Sequence, residues 1–171
     1  MISVTRLIEI LNKPALVYWA NGLGLKGVSL NEYYKEVKSD GNKKHNKVED
    51  YFKNGIKFKG WEVLATNLKG YKVLGVEESI KNDFLSARTD LILEKDGEKY
   101  VVDLKRNKKI YLGTKLQLSA YKNLFNANHV CYMNFESYEL VLLDIDTDKY
   151  YEILKRLYQV NKLLNDLNEK L

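Results

Sequence analysis

Two aspartates, a lysine and a glutamine between residues 90 and 117 have the types and spacing for hydrolytic chemistry at a phosphate ester. The segments Arg88-Thr-Asp-Leu-Ile-Leu-Glu94 and Lys99-Tyr-Val-Val-Asp-Leu-Lys105 are apolar runs on either side of Asp96-Gly97. That dipeptide is favoured in two-residue hairpin turns because it tolerates positive φ. With it as the loop, Lys95 faces Glu98 and Glu94 faces Lys99, and the same count carried outward puts Asp90 opposite Asp103. Directly opposed side chains on one sheet face have β-carbons roughly 5 Å apart, where like charges repel. A divalent cation such as Mg²⁺ offsets that repulsion, since hard cations are held by one or two carboxylates with water and phosphate oxygens. Lys105 follows Asp103 by two residues, so strand alternation sends its ammonium to the same face, toward a metal-bound water or a phosphate.

An Asp-x-Lys triplet alone usually marks the solvated face of an edge strand. Here Val101, Val102 and Leu104 surround it, and a charge on the buried side of a strand is seldom kept without a partner or role.

The elements that must position these residues follow from periodicity and punctuation. Ser3 or Thr5 caps a first helix to about Leu11, Pro14 starts a second to about Ala20, and Gly22, Gly24 and Gly27 end that unit. Ser29 caps a helix to about Lys38, the Ser39-Asp-Gly-Asn42 turn interrupts it, and a further helix runs from Lys43 to Asn54 before Gly55. Strands are expected near 72–78, 88–94 and 99–105, a helix from Gly113-Thr114 to about Phe125, and strands near 129–135 and 138–145. Asp146 or Thr147 then caps a long amphipathic helix with Tyr150, Ile153, Leu154, Leu157, Val160, Leu164 and Leu167 on its apolar stripe, as core or partner surface. The order predicts an α/β (α+β) fold, a central mixed sheet flanked by helices with the hairpin in mid-sheet. It is read as one domain with a helical part to about 55, a sheet core over about 70–145 and a C-terminal helix over about 147–170.

Composition narrows the classes. A chain of 171 residues, 45% hydrophobic, is long enough for a real core. Its single cysteine, Cys131, excludes an internal disulfide and a four-cysteine zinc or iron–sulfur site, and suits a reduced, cytoplasmic setting. No apolar run approaches the roughly 20 residues that span a bilayer, and no secretory signal is recognisable, so no membrane partner is expected. The net charge of +5 leans toward a polyanion. The thirteen tyrosines are core fillers first and base-stacking surfaces second.

Further candidates stand around the hairpin. Glu77 or Glu78, at the end of the preceding strand, could bring a third carboxylate, the other reading being solvent exposure. Gln117 and Tyr121 lie one turn apart on one helix face. If that face covers the sheet edge, Gln117 meets the nucleophilic water or a phosphate and Tyr121 the substrate backbone. His45 offers an imidazole that could complete a shell held mainly by carboxylates, whereas His129 reads as structural. Arg88, Arg106, Lys108, Lys109 and Lys115 form either a phosphate track or a solvated rim.

These residues resemble the PD-(D/E)XK nuclease superfamily, in particular its RecB-like and lambda-exonuclease-like branch. The His-x-x-x-Glu helix of that branch matches His45-Asn-Lys-Val-Glu49, with Gly41 upstream; the Glu ending the first strand matches Gly75-Val-Glu77. The first metal Asp matches Arg-Thr-Asp90, the Asp-x-Lys core Asp103-Leu-Lys105, and the Gln-x-x-x-Tyr helix Gln117-Leu-Ser-Ala-Tyr121. The match spans residues 41 to 121, and Ser3-Val-Thr-Arg-Leu7 is similar to the family's opening segment. Cluster-bearing members place a cysteine near Lys13 and three near the C-terminus, all absent here, so no iron–sulfur cluster is expected. No Gly-Lys-Ser/Thr phosphate loop occurs either, so no nucleotide is expected.

The resemblance implies a restriction-endonuclease-like fold and Mg²⁺- or Mn²⁺-dependent hydrolysis of DNA phosphodiesters. It makes Asp90 and Asp103, with Glu77 or His45, the metal ligands, Lys105 the residue that positions or deprotonates water, and Gln117 the residue that orients it. It favours an exonuclease acting on DNA ends in recombination, repair or viral DNA processing. The alternatives are an endonuclease of the same fold, a nucleic-acid-binding protein without activity, or an interaction scaffold built on the C-terminal helix. Besides DNA, the partners expected are a second copy of the chain or a recombination protein.

Overall fold

Asp96 and Gly97 both take positive φ, 54° and 79°, and close the two-residue turn the sequence predicts. The strands on either side pair antiparallel from Lys95↔Glu98 and Glu94↔Lys99 back to Leu91↔Val102. The computed structural model describes residues 1–11, 14–106 and 109–168. In chain order its elements are β1 (Ile2–Ser3), α1 (Val4–Ile8), α2 (Pro14–Gly24), α3 (Leu30–Asn54), α4 (Trp61–Asn67), β2 (Lys72–Lys81), β3 (Leu85–Lys95) and β4 (Glu98–Lys105). They continue with α5 (Leu112–Phe125), β5 (His129–Asn134), β6 (Leu140–Leu142) and α6 (Thr147–Asn168). Two compact units result, Met1–Ile10 with Lys57–Leu171, and Leu11–Ile56.

The first unit holds a six-stranded mixed sheet in the order β1-β3-β4-β5-β6, with β2 on the other edge of β3. The architecture is mixed α/β, with the hairpin β3–β4 in mid-sheet as expected. β3 carries Leu85, Ala87, Thr89 and Leu91 buried on one alternation, with Ile92 and Leu93 also buried, so the strand is covered on both faces. β4 and β5 run parallel from Tyr100↔His129 to Lys105↔Asn134. A parallel pair needs a long crossover, and α5 supplies it. Leu116, Leu118, Ala120 and Tyr121 of α5 are buried, and the helix packs on β3, β4 and β5 and also on α1 and α6. This crossover sets the start of α5 beside the carboxyl end of β4, where open α/β sheets bind ligands.

Two short elements, β1 and α4, are not expected from the sequence. The chain pairs β1 with β3 before Ser3 caps α1 through its Oγ, which accepts Arg6 N–H at 3.3 Å. At the other end Asp146 is the cap of α6, accepting Lys149 N–H at 3.0 Å. Leu154 of α6 is fully buried, but the stripe is covered only in its first half: Val160, Leu164 and Leu167 are exposed.

The Leu11–Ile56 unit corrects one expectation. The Ser39-Asp-Gly-Asn42 turn does not form, and α3 runs 25 residues without interruption. A glycine inside a helix costs only about 1 kcal/mol. Asp40 and Lys44, 3.3 Å apart, pair across Gly41 on the helix surface and favour continuation. Gly22 likewise lies within α2, which ends at Gly24. Trp19 packs edge-on against Tyr33 and Tyr34 at 5.1 and 5.8 Å between ring centroids, joining α2 to α3. Gly55 ends α3 with φ 69°, as the sequence predicts.

Cys131, in the middle of β5, is 1% exposed, and burial pushes its thiol from the ordinary 9.0 up to about 12. The folded chain is therefore expected to resist iodoacetamide at pH 8 and to react once denatured; equal rates would contradict the placement. Between pH 9 and about 12 the unfolded thiol ionises while the folded one keeps its proton, so the unfolded state binds fewer protons and stability falls as pH rises. Among the described residues no helix is long and apolar enough to cross a membrane.

Candidate active site

The β3–β4 ladder stops at Leu91↔Val102, one pair short of the two aspartates. Side chains replace the missing backbone pairing. Thr89 Oγ1, fully buried, lies 3.3 Å from the Leu91 carbonyl and 3.1 Å from that of Val102. Asp90 Oδ2 accepts the Leu104 N–H at 2.5 Å. The expectation that Asp90 and Asp103 face each other as ladder partners is thus corrected: Asp90 is bonded to the backbone beyond Asp103. A buried strand N–H left without its ladder partner must find another acceptor, and a carboxylate gives a charge-assisted bond.

On the other edge of β3, Val76 pairs with Leu91 and Glu78 with Thr89, which leaves Glu77 level with Asp90 but outside the ladder. Glu77 has φ 55°, in the left-handed region. A non-glycine residue held there costs about 1–3 kcal/mol, and such residues concentrate at functional sites. Of the two candidate glutamates it is Glu77 that meets Asp90: one oxygen of each lies within 4.8 Å of the other. Glu78 is exposed, and its stem crosses Gly75, where an added Cβ would stand 2.5 Å from Glu78 Cγ. Glu77 Oε2 is held by Arg88 Nε at 2.9 Å.

Asp103, 3% exposed, forms an ion pair with Lys105, Nζ to Oδ2 2.7 Å. Lys105 Nζ also donates to Gln117 Oε1 at 3.3 Å, and Gln117 Nε2 donates to Tyr121 Oη. The face of α5 with Gln117 and Tyr121 therefore does cover the sheet edge, and four residues form one polar chain. Tyr121 is 3% exposed. A side chain so covered does not reach a DNA backbone, so its expected role as a substrate contact is replaced by that of holding Gln117. Burial first, then the charges of Asp103 and Asp90, hold its phenol well above the ordinary value; the Gln117 hydrogen bond lowers it by less, and Glu77 adds the smallest contribution upward. Tyr121 stays a neutral partner throughout the working range of pH.

The cations are less gathered. Arg88 is two-thirds exposed, Arg106 and Lys109 are exposed, and Lys115 is half-buried with its Nζ 5.7 Å from the Tyr150 ring centre. The Arg106 carbonyl accepts from Asn134 Nδ2 at 3.0 Å, which fixes the backbone leaving β4. Lys108 lies outside the described residues. His45 sits half-buried on α3, one turn before Glu49, and belongs to the Leu11–Ile56 unit. Glu49 takes a surface ion pair with Lys53 at 2.9 Å. His129 is structural as expected, stacked on Tyr100 at 4.6 Å and 2.5 Å from Glu98.

Sequence reasoning missed two features. Thr89 reads as a β-branched core filler, and nothing in its neighbourhood signals a hydroxyl standing in for a ladder bond. Arg88 was legible as a cation but not as the partner of Glu77, because that pairing depends on the left-handed turn of Glu77.

No protein-family profile matches the chain, and no curated protein does. A solved structure described as "Crystal structure of SSO0001" aligns over 94% of this chain and 75% of its own, at 17% identity and a TM-score of 0.47. At that level the likeness identifies neither family nor activity.

Proposed function

We propose that the chain is a divalent-cation-dependent deoxyribonuclease, an exonuclease acting on DNA ends. The observation that carries the reading is the break in the β3–β4 ladder, around which Glu77, Asp90, Asp103, Lys105 and Gln117 collect. The donor set fits a hard cation: carboxylate oxygens of Glu77 and Asp90 within 4.8 Å suit an ion with bonds of about 2.0–2.6 Å. Asp90 and Glu77 would hold it, with Asp103 as a further ligand. Bound there, Mg²⁺ or Mn²⁺ lowers the pKa of water and neutralises charge on the phosphate.

The rest falls to side chains. Lys105, tied to Asp103 on one side and to Gln117 on the other, places its ammonium where negative charge develops. Gln117 has its amide group oriented by Tyr121, so its own bond to a water or phosphate oxygen needs little rearrangement. Arg106, Lys109 and Lys115 lie on the stretch from the end of β4 into α5 and would track the phosphates. The preference for DNA ends, and the setting in recombination, repair or viral DNA processing, rest on the family pattern of the sequence.

The test is cleavage of labelled single- and double-stranded DNA, linear, end-blocked or circular, in Mg²⁺, Mn²⁺ or EDTA. Linear DNA should be degraded only with metal, and closed circles spared. Cut circles would replace the exonuclease with an endonuclease. Salt-sensitive binding without cleavage in either metal would replace the enzyme with a binding protein.

A further inference from the structure

We propose that Arg88 is a metal-gated phosphate clamp: it stays on Glu77 until a divalent cation takes that carboxylate, and the released guanidinium then grips the substrate phosphate. This rests on the reading of Glu77 and Asp90 as metal ligands. Their oxygens lie within 4.8 Å of each other, so two like charges are held close, and the Arg88 guanidinium at 2.9 Å from Glu77 Oε2 offsets them. The partners differ in surroundings: the Glu77 side chain is 11% exposed and that of Arg88 68%. The arginine reaches in from solvent, and a pair with one solvated partner is weak enough for a dication to displace. Two cations compete for one carboxylate, so each lowers the hold of the other by the same factor.

Release leaves Arg88 in a useful place. It precedes Asp90 by two residues on β3, so alternation sets both side chains on one face. A phosphate meeting an ion on Asp90 therefore arrives beside Arg88. The planar fork of five N–H donors suits a phosphate better than a single carboxylate oxygen. The Glu77 contact runs through Nε, and the other edge of the guanidinium is its phosphate-binding edge. The left-handed Glu77 matters here, since it is the residue between two ladder pairs and is turned to meet both Asp90 and Arg88.

The experiment uses the whole chain as wild type, Arg88→Ala and Arg88→Lys. Mn²⁺ affinity is measured by calorimetry, and affinity for an end-labelled duplex by anisotropy in EDTA and in Ca²⁺, which takes the same oxygen ligands, with the DNA verified uncut on a gel. Arg88→Ala should bind Mn²⁺ about two- to fivefold more tightly, having lost the competitor. Its DNA affinity should fall about tenfold in Ca²⁺ but less than about twofold in EDTA, with a salt slope in Ca²⁺ smaller by about one. Arg88→Lys, which keeps the charge without the fork, should fall between the two in Ca²⁺. Equal losses in EDTA and Ca²⁺ would make Arg88 an ordinary rim cation and overturn the clamp. Weaker Mn²⁺ binding by Arg88→Ala would overturn it too, making the arginine a support for Glu77. If the wild type binds no Mn²⁺ and cuts no DNA, the nuclease reading falls with it; if it does both, failure of the Arg88 arms removes the clamp alone.

Discussion

Asp103→Ala and Lys105→Ala are each expected to lower metal-dependent DNA cleavage by about 10³-fold or more, and to differ in what they do to the fold. The shared loss follows from their joint position: the Asp103 carboxylate and the Lys105 ammonium are 2.7 Å apart, and Lys105 continues to Gln117. Removing a group that stabilises developing charge or moves a proton costs about 10²–10⁴-fold. Here the loss of either also releases the other from its place. The difference comes from burial. The Asp103 side chain is 4% exposed and that of Lys105 32%. Lys105→Ala withdraws an ammonium from a buried carboxylate, a change that costs several kcal/mol when charge is left uncompensated. Asp103→Ala leaves an ammonium with access to water. Thermal melts should therefore rank wild type, Asp103→Ala and Lys105→Ala in falling order, and Mg²⁺ should return part of the Lys105→Ala loss by supplying positive charge beside Asp103. Asp103→Asn with Lys105→Met, which removes both charges, should melt above Lys105→Ala and remain inactive. Near-normal turnover in either single variant would refute the assigned roles, and a Lys105→Ala melt equal to wild type would refute the buried-pair argument.

The fold was legible where one local cause decides the outcome. Asp96-Gly97 needed two positive-φ residues and had them, so the register followed by counting as far as Leu91↔Val102. Counting fails beyond that point because it assumes that backbone pairs with backbone. A buried threonine hydroxyl and an aspartate carboxylate take over the ladder bonds there, and composition gives no sign of it. The same limit hid Arg88 and Glu77, since the pairing needs a strand residue at φ 55° that no propensity predicts. At 39–42 the error ran the other way. Turn-forming residues were overruled by a helix long enough to absorb one glycine. Lys105, Gln117 and Tyr121 were legible as neighbours because strand alternation and helical periodicity are both local. The buried position of Tyr121 was not, as it depends on how α5 lies on the sheet.

Asp90 joins these two levels, and its substitutions should separate them. Asp90→Ala removes a proposed metal ligand and also the acceptor of the Leu104 N–H, on a residue only 2% exposed. A buried donor left without a partner costs about 1–3 kcal/mol, and hydrogen bonds to charged groups lie at the upper end. For a chain of 171 residues that corresponds to a fall in Tm of roughly 2–12 °C. Asp90→Asn keeps a carbonyl oxygen in the same place, so the Leu104 N–H retains an acceptor and most of the lost stability should return. The amide carries no charge and is a far weaker ligand for a hard cation, so cleavage and Mn²⁺ binding should remain lost in both variants. The pattern expected is therefore inactive and less stable for alanine, inactive and near wild-type stability for asparagine, measured by melts, calorimetry with Mn²⁺ and cleavage on linear DNA. An active asparagine variant would remove Asp90 from the metal site. An alanine variant as stable as wild type would mean that the carboxylate does not replace the ladder bond, and the break in the β3–β4 pairing would then need another cause.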